Sequence, residues 1–486
     1  MFLNKNTEII IGPPGTGKTA TLIKLATEII ASGVAPDQVG YISFTRQAVR
    51  EASSRIIAAT GHSSESFKGF RTLHAMTFWL LGKEHKDITN FLDIENITYL
   101  DKHTVGTIAK ARTRMYAQLY NLHRVTGKSI SEVWAGYAST QSGTEEDFME
   151  WIQLYKAHKI ALGKVDFTDL IQDFTQRDIS FPFDYLFIDE AQDFSADQWG
   201  AAQLLARHSK KVFVAGDSDQ AVFGWSGGKS TLFDEVEGER RVLSQSYRVP
   251  KLPHILATRC LRSFGREPLY EPTPLSGQVK HIFFEESQDL PLDNGETWFL
   301  LARNNFQVEA IARKLYAKNI FFRPVSSSRD SEDGHLKYIS RIKWYEEWLE
   351  TGTVSKKRKK LLEKEGTDVE GSVEKRQSWL YAFDIWPNSR IDFFRSTRPV
   401  WEKPKVFVGT FHASKGAESD NVVLYGCTTA RISSAVMHDD PEEHRALYVA
   451  MTRTRKNLYL VQKQGKAGIE WSKFQKLPED LTNGLL

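Results

Sequence analysis

Near the N-terminus the residues Gly12-Pro13-Pro14-Gly15-Thr16-Gly17-Lys18-Thr19 have the composition and spacing of a loop that wraps phosphate. Three glycines let backbone N–H groups approach an anion closely, and the loop runs from a short β-branched stretch into a predicted helix, whose N-terminus favours negative charge. In that setting Lys18 is expected to reach the terminal phosphates of a nucleoside triphosphate, and the Thr19 hydroxyl to hold Mg²⁺.

A second constellation, Leu186-Phe187-Ile188-Asp189-Glu190-Ala191-Gln192-Asp193, delivers adjacent acids at the end of an apolar strand. The C-terminal edge of parallel strands is where open α/β sheets bind ligands. Asp189 suits the Mg²⁺ shell, and Glu190 is placed to orient and deprotonate an attacking water. Together the two motifs point to hydrolysis of a triphosphate.

Elements that position them are legible from periodicity. Short β-branched runs at 8–11, 39–44, 185–188 and 211–215, and again at 298–302, 406–409, 422–424 and 458–461, alternate with amphipathic helical patterns. That alternation predicts parallel sheets with helical crossovers, and the two sets predict two α/β domains. Residues 82–164 read as helical, with periodic apolar positions over 104–125 and 146–162, and residues 326–403 are polar and mixed. Both read as insertions, one in each α/β domain. The expected layout is 1–81 and 165–240 for the first α/β domain around an insertion at 82–164, and 241–325 and 404–486 for the second around an insertion at 326–403. The run Lys356-Lys357-Arg358-Lys359-Lys360 is either a solvated helix face or a contact to duplex DNA.

With 486 residues, the chain is too long for one hydrophobic core. Its net charge of +3 neither requires nor forbids a nucleic-acid partner, so any basic surface must be local. Two cysteines, Cys260 and Cys427, build neither a disulfide framework nor a zinc ribbon, which suits a reducing compartment. No apolar run spans a bilayer, and the N-terminal apolar stretch is too short for a signal peptide.

A series of further segments then follows in order. Val165-Asp166-Phe167-Thr168-Asp169-Leu170, Val214-Ala215-Gly216-Asp217-Ser218-Asp219-Gln220-Ala221-Val222-Phe223-Gly224-Trp225, Leu243-Ser244-Gln245-Ser246-Tyr247-Arg248, Gly409-Thr410-Phe411-His412-Ala413-Ser414-Lys415-Gly416-Ala417-Glu418 and Arg445–Arg455 join Tyr41–Arg50, with its Ser43-Phe44-Thr45, and Arg71-Thr72-Leu73-His74. Their order resembles the motif series of the UvrD/PcrA/Rep-like superfamily 1 DNA helicases, in a compact form with a reduced second insertion (the family's 2B region).

That resemblance implies two RecA-like domains with ATP bound between them. The nucleotide ligands it implies are Gly12, Pro13, Pro14, Gly15, Thr16, Gly17, Lys18, Thr19, Arg46, Gln220, Arg248, Gly416, Glu418 and Arg453. Thr19 and Asp189 would hold Mg²⁺, and Lys18, Asp189, Glu190, Gln220, Arg248 and Arg453 would carry the chemistry. Arg248 and Arg453 would act as arginine fingers, and Glu418 would bind the ribose. Phe44, Thr45, His74, Phe223, Trp225, Thr410, Phe411 and His412 lie in segments that face single-stranded DNA in the family. The implied activity is a DNA-stimulated ATPase moving 3′ to 5′ on single strands and opening duplex at junctions. The alternative is a translocase that strips proteins from single strands without efficient unwinding. The implied setting is a bacterial cell or phage-infected host, with the chain acting as a monomer beside single-strand-binding, replication or repair proteins.

The chain departs from the family in places. No glutamine precedes the phosphate loop, the first being Gln38; Phe223 stands where tyrosine is frequent and Ser226 where arginine is; Ser414, Ala417 and Ser419 occupy usually apolar positions. Strictness for ATP and grip on DNA are the properties these changes would alter.

Overall fold

The computed structural model describes residues 3–82, 107–136, 143–177, 183–224, 227–325, 334–367, 388–401, 403–463 and 467–474, with single residues at 369, 378, 382, 383 and 465. The chain forms two compact units, one of residues 1–247 with 269–271 and one of 248–268 with 272–486.

In the first unit, strands β1 (Thr7–Ile11), β2 (Val39–Ser43), β3 (Phe70–Thr72), β4 (Tyr185–Asp189), β5 (Lys211–Gly216) and β6 (Glu239–Val242) form one sheet in the order β3-β2-β4-β5-β1-β6. Every pair is parallel. Helices α1 (Lys18–Ala31), α2 (Arg46–Thr60), α3 (Leu73–Leu80), α7 (Phe167–Thr175), α8 (Ala196–Ala206) and α9 (Ser230–Asp234) accompany it, and α4 (Thr107–Thr126), α5 (Ile130–Ala135) and α6 (Glu145–Ala161) lie between α3 and α7 in the chain. A sheet covered on both faces needs strands that are apolar throughout, and β4 reads Tyr-Leu-Phe-Ile-Asp for that reason. Separate apolar clusters form on Ile9, Ile42, Ile188 and Val214 and on Ile10, Tyr41, Phe187 and Phe213. One strand, β5, separates β1 from β4, so the phosphate loop, the Asp189-Glu190 pair and the segment after Gly216 emerge side by side from one edge.

Helices α4 to α6 share an aromatic core of Tyr116, Trp134, Phe148, Trp151 and Tyr155. A buried ion cluster ties them to α7. Asp166 caps α7, and its carboxylate accepts hydrogen bonds from Arg124 at 2.8 Å and Lys159 at 2.6 Å.

In the second unit, β7 (Gln278–Ile282), β8 (Trp298–Ala302), β9 (Arg323–Pro324), β10 (Val406–Thr410), β11 (Ser419–Tyr425) and β12 (Thr454–Val461) form another parallel sheet in the order β7-β12-β11-β8-β10-β9. Helices α10 (Lys251–Arg262), α11 (Asn305–Ala317), α15 (Ala430–Met437) and α16 (Pro441–Met451) accompany it. Helices α12 (Gly334–Thr351), α13 (Lys356–Glu363) and α14 (Asn388–Thr397) build a smaller core around Tyr345, Trp348, Phe393 and Trp401.

Two α/β units with parallel sheets are thus present, as the alternation predicts. The expected division at 240/241 differs from the observed one, because β6 completes the first sheet and Leu243 N–H donates to the Ile11 carbonyl at 2.8 Å. Strands β11 and β12 also start earlier than their apolar stretches, since Asn421 and Asn457 extend the ladder with a side-chain hydrogen bond of 2.7 Å. Among the described residues no helix is long and apolar enough to cross a membrane.

Candidate active site

Backbone conformation explains the glycines of the phosphate loop. Gly15 and Gly17 have φ of 74° and 86°, a region that costs other residues strain. A Cβ on Gly12 would lie 1.8 Å from Lys18 Cγ, because the lysine folds back over the loop and donates to the Gly12 carbonyl at 2.6 Å. Thr16 closes the turn through its hydroxyl to the Pro13 carbonyl, 2.8 Å. Lys18 and Thr19 open α1.

Asp189 ends β4 and is fully buried. Its Oδ2 accepts hydrogen bonds from the Thr19 hydroxyl at 2.9 Å and the Tyr41 hydroxyl at 2.8 Å, and its Oδ1 accepts from Glu190 N–H at 2.9 Å. Burial, then the neighbouring Glu190 charge, pushes the Asp189 carboxyl up to about 6. A buried carboxylate held up in this way favours a cation beside it. Thr19 and Asp189 are hard oxygen donors of the type Mg²⁺ takes, and Mg²⁺ commonly uses one or two protein oxygens and completes its shell with phosphate and water. Among the described residues no group of three or more His, Cys, Asp or Glu is arranged to hold a metal ion.

Glu190 has φ of 54°, left-handed for a residue with a side chain. This conformation costs about 1 kcal/mol or more, strain of a kind that clusters at functional sites. Gln192 donates to Glu190 at 2.6 Å and accepts from Asp217 N–H at 2.9 Å, and Gln220 donates to Asp217 at 2.6 Å. Burial, then Asp219, raises the Asp217 carboxyl to about 6. Motif residues after β4 and β5 therefore form one polar chain, Glu190–Gln192–Asp217–Gln220.

Two aromatic residues of the motif segments, Tyr41 and Tyr247, have contacts here for which the sequence assigns no role. Tyr41 sits in a central strand with its hydroxyl on Asp189. A tyrosine amid the apolar residues of β2 is itself a signal, since a buried phenol needs a partner. Tyr247 is 79% exposed, yet its N–H donates to the Gly15 carbonyl at 2.9 Å, and the preceding Ser246 hydroxyl donates to the Pro14 carbonyl at 2.8 Å. An exposed ring is thereby fastened to the phosphate loop. Arg46 is exposed at the start of α2.

In the second unit, Arg248 donates to Glu418 at 2.6 Å, and Arg455 lies 3.4 Å from the same carboxylate. Gly416 precedes it with φ of 79°. Arg453 is buried and donates to the carbonyl of Val449 at 2.8 Å and the Thr452 hydroxyl at 3.1 Å.

For the single-strand candidates the outcome is mixed. Phe44 and Phe223 are half-buried and stacked, with centroids 5.2 Å apart. Phe44, His74 and Phe167 help line a cavity of about 280 Å³ in the first unit, with Asp193 and Asp197 at its wall. Burial lowers His74 to about 4, and burial followed by the Arg303 and Lys415 charges lowers His412 to about 4. Both rings are therefore neutral near pH 7 and offer stacking or hydrogen bonds rather than charge. The exposed Thr45 accepts from Ala48 N–H as the cap of α2, and the half-buried Thr410 accepts from Ala413 N–H. Phe411 is fully buried in this structure. Trp225 and Ser226 lie outside the described residues.

Residues 2–240 match the family profile of the UvrD/REP helicase N-terminal domain, and residues 395–465 that of the UvrD-like helicase C-terminal domain. The chain is 24% identical over 318 residues to the ATP-dependent DNA helicase Rep of Salmonella typhimurium, covering 62% of this chain and 45% of that protein. It is 26% identical over 270 residues to the ATP-dependent DNA helicase PcrA of Leuconostoc citreum, covering 49% and 35%. A probable DNA helicase of Mycoplasma pneumoniae is 23% identical over 515 residues, covering 97% of this chain and 84% of that protein. The chain thus spans less than half the length of the Rep and PcrA proteins it matches.

Proposed function

This chain belongs to the UvrD/REP-like helicase family, and from that premise we propose that it is an ATP-driven motor that moves 3′ to 5′ along single-stranded DNA and unwinds duplex at junctions. The observation that best supports this reading is the shared sheet edge where Lys18, the Thr19–Asp189 pair, Glu190 and Gln220 come together.

In this proposal Lys18 leaves the Gly12 carbonyl for the terminal phosphates of ATP. Thr19 and Asp189 would hold Mg²⁺, which would supply charge neutralisation on the phosphates. Glu190 takes a proton from the attacking water, and Gln220 reads the γ-phosphate and passes its state to Glu190 through Asp217 and Gln192. Arg248 and Arg453 act from the second unit as arginine fingers, with Glu418 on the ribose. Such fingers contribute about 10³–10⁵ in rate in related phosphoryl transfers. Tyr247 offers its exposed ring to the base. Phe44, Phe223, His74 and the cavity beside them receive unstacked bases, and stacking is worth about 1–3 kcal/mol per base without regard to sequence. The layout of two motor domains, each with an insertion, is part of the same proposal.

The test is ATP turnover with and without single-stranded DNA, followed by unwinding of forked duplexes with the overhang on either strand. DNA-stimulated turnover with unwinding from a 3′ overhang is expected, and Lys18→Ala should abolish both. Turnover that ignores DNA would overturn the motor, while stimulated turnover without unwinding would reduce it to a translocase.

A further inference from the structure

Tyr41 opens one of the motif segments, but that series gives its side chain no role, although its hydroxyl donates to Asp189 at 2.8 Å. It lies in β2, in register with Phe70 of β3 and Phe187 of β4. Its ring stacks on both, with centroids 5.4 and 6.3 Å away and interplanar angles of 10° and 20°, and Phe187 stacks in turn on Phe213 of β5 at 4.8 Å. A ladder of rings therefore crosses the sheet on the α1 side. Phe70, Phe187 and Phe213 end in carbon. Tyr41 alone in the ladder carries a hydroxyl, and leaning along the strand direction it reaches Asp189, two residues beyond its register partner.

This arrangement does more than satisfy a buried phenol. Asp189 Oδ2 takes its two hydrogen bonds from groups of different stiffness. Thr19 stands at the first turn of α1, on the loop that must accommodate the nucleotide. Tyr41 is clamped between two aromatic faces in the middle of the sheet and cannot follow the loop. The carboxylate plane is thus referenced to the sheet whatever the loop does, while Oδ1 is referenced to the Glu190 backbone. We propose that Tyr41 is a positioning residue for the Mg²⁺–nucleotide site, holding the Asp189 carboxylate in its metal-binding orientation through a hydroxyl anchored in the aromatic ladder. The proposal rests on the reading of this edge as a Mg²⁺–nucleotide site.

The test uses the full chain and a fluorescent ADP analogue, with Mg²⁺ titrated at equilibrium and no turnover. Tyr41→Phe keeps the ladder and removes the hydroxyl. A hydrogen bond to a charged group is worth enough to shift the half-saturating Mg²⁺ upward by about tenfold. Binding of the analogue in the presence of a chelator should be unchanged. In an Asp189→Asn background the same tyrosine substitution should produce no further shift, because its route of action is gone. Unchanged Mg²⁺ dependence in Tyr41→Phe, equal losses with and without Mg²⁺, or a full additional shift in the Asn background would each overturn the assignment. Wild-type protein that binds the analogue equally well without Mg²⁺ would overturn the reading of the site itself, a result recognisably different from failure of the tyrosine alone.

Discussion

Asp217 donates its backbone N–H to the Gln192 side-chain carbonyl at 2.9 Å, joining the loop after β4 to the loop after β5. The other end of the Gln192 amide donates to Glu190. A Cβ on Gly216 would lie 2.8 Å from the same Gln192 oxygen, so the glycine is what lets the two loops approach. The candidate general base and the candidate γ-phosphate sensor are therefore connected by one amide that uses both its donor and its acceptor.

Replacing Gln192 with Leu should cut that connection while preserving bulk. Turnover should fall about 10–100-fold, and KM for ATP should change little, since nucleotide binding uses other groups. Steady-state kinetics with saturating single-stranded DNA would measure this; a raised KM with unchanged kcat would remove Gln192 from the chemistry.

Arg248 and Arg453 should respond differently to alanine. Arg248 pairs with Glu418 through a side chain that water still reaches, so Arg248→Ala should lower turnover by about 10³-fold or more with a near-normal melting temperature. Arg453 is buried and hydrogen-bonded to the last turn of α16, so Arg453→Ala should lose turnover and stability together. Paired melting curves and ATPase assays separate the two.

Nucleotide choice should be loose. A ring such as Tyr247 stacks on any base, so ATP and GTP should be hydrolysed with kcat/KM values within about tenfold of each other. Tyr247→Ala should raise KM for both alike, without a change in melting temperature. A preference for ATP beyond about a hundredfold would mean that another group reads adenine.

Acid should act on the joint between helices α4, α6 and α7. Burial tends to raise the Asp166 carboxyl, but Arg124 and Lys159 outweigh it and hold it below the ordinary 3.8. A depressed carboxyl contributes stability above its unfolded value, and that stability is lost as pH falls through the folded value, hence below about pH 4. His74 and His412 act over a higher window: held neutral to about 4, they favour the fold above pH 6.5 and withdraw that contribution as pH drops towards 4. Asp166→Asn leaves two buried cations short of a partner and should cost about 3–5 kcal/mol at pH 7. Thermal melts across about pH 3–8 on the wild type and Asp166→Asn check both statements, the variant losing the steepest acid limb.

The basic run lies on α13, where Arg358 pairs with Glu347 at 2.9 Å and stands over Trp344, while Lys356, Lys357 and Lys360 are exposed. If this helix binds duplex DNA, replacing the three lysines with alanine should flatten the salt dependence of junction binding, by up to about 0.9 in log–log slope for each phosphate no longer neutralised. Single-strand binding should keep its slope. An unchanged junction slope would leave the helix as a solvated face.

How much of the fold and the site was legible in the sequence follows from the kind of signal each feature carries. Local chemistry determined the phosphate loop, the Asp189-Glu190 pair and the two α/β domains, because glycine spacing, strand-end acids and apolar periodicity are properties of neighbours in the chain. The polar starts of β11 and β12 and the exposed edge strand β6 were obscured, since their stability comes from pairing with distant strands rather than from their own composition. Only the tertiary structure decided that Tyr41 rather than another side chain meets Asp189, that Gln192 bridges two loops, and that Phe411 is buried. Burial and hydrogen bonding between residues far apart in sequence depend on strand order and register, which a linear pattern does not contain.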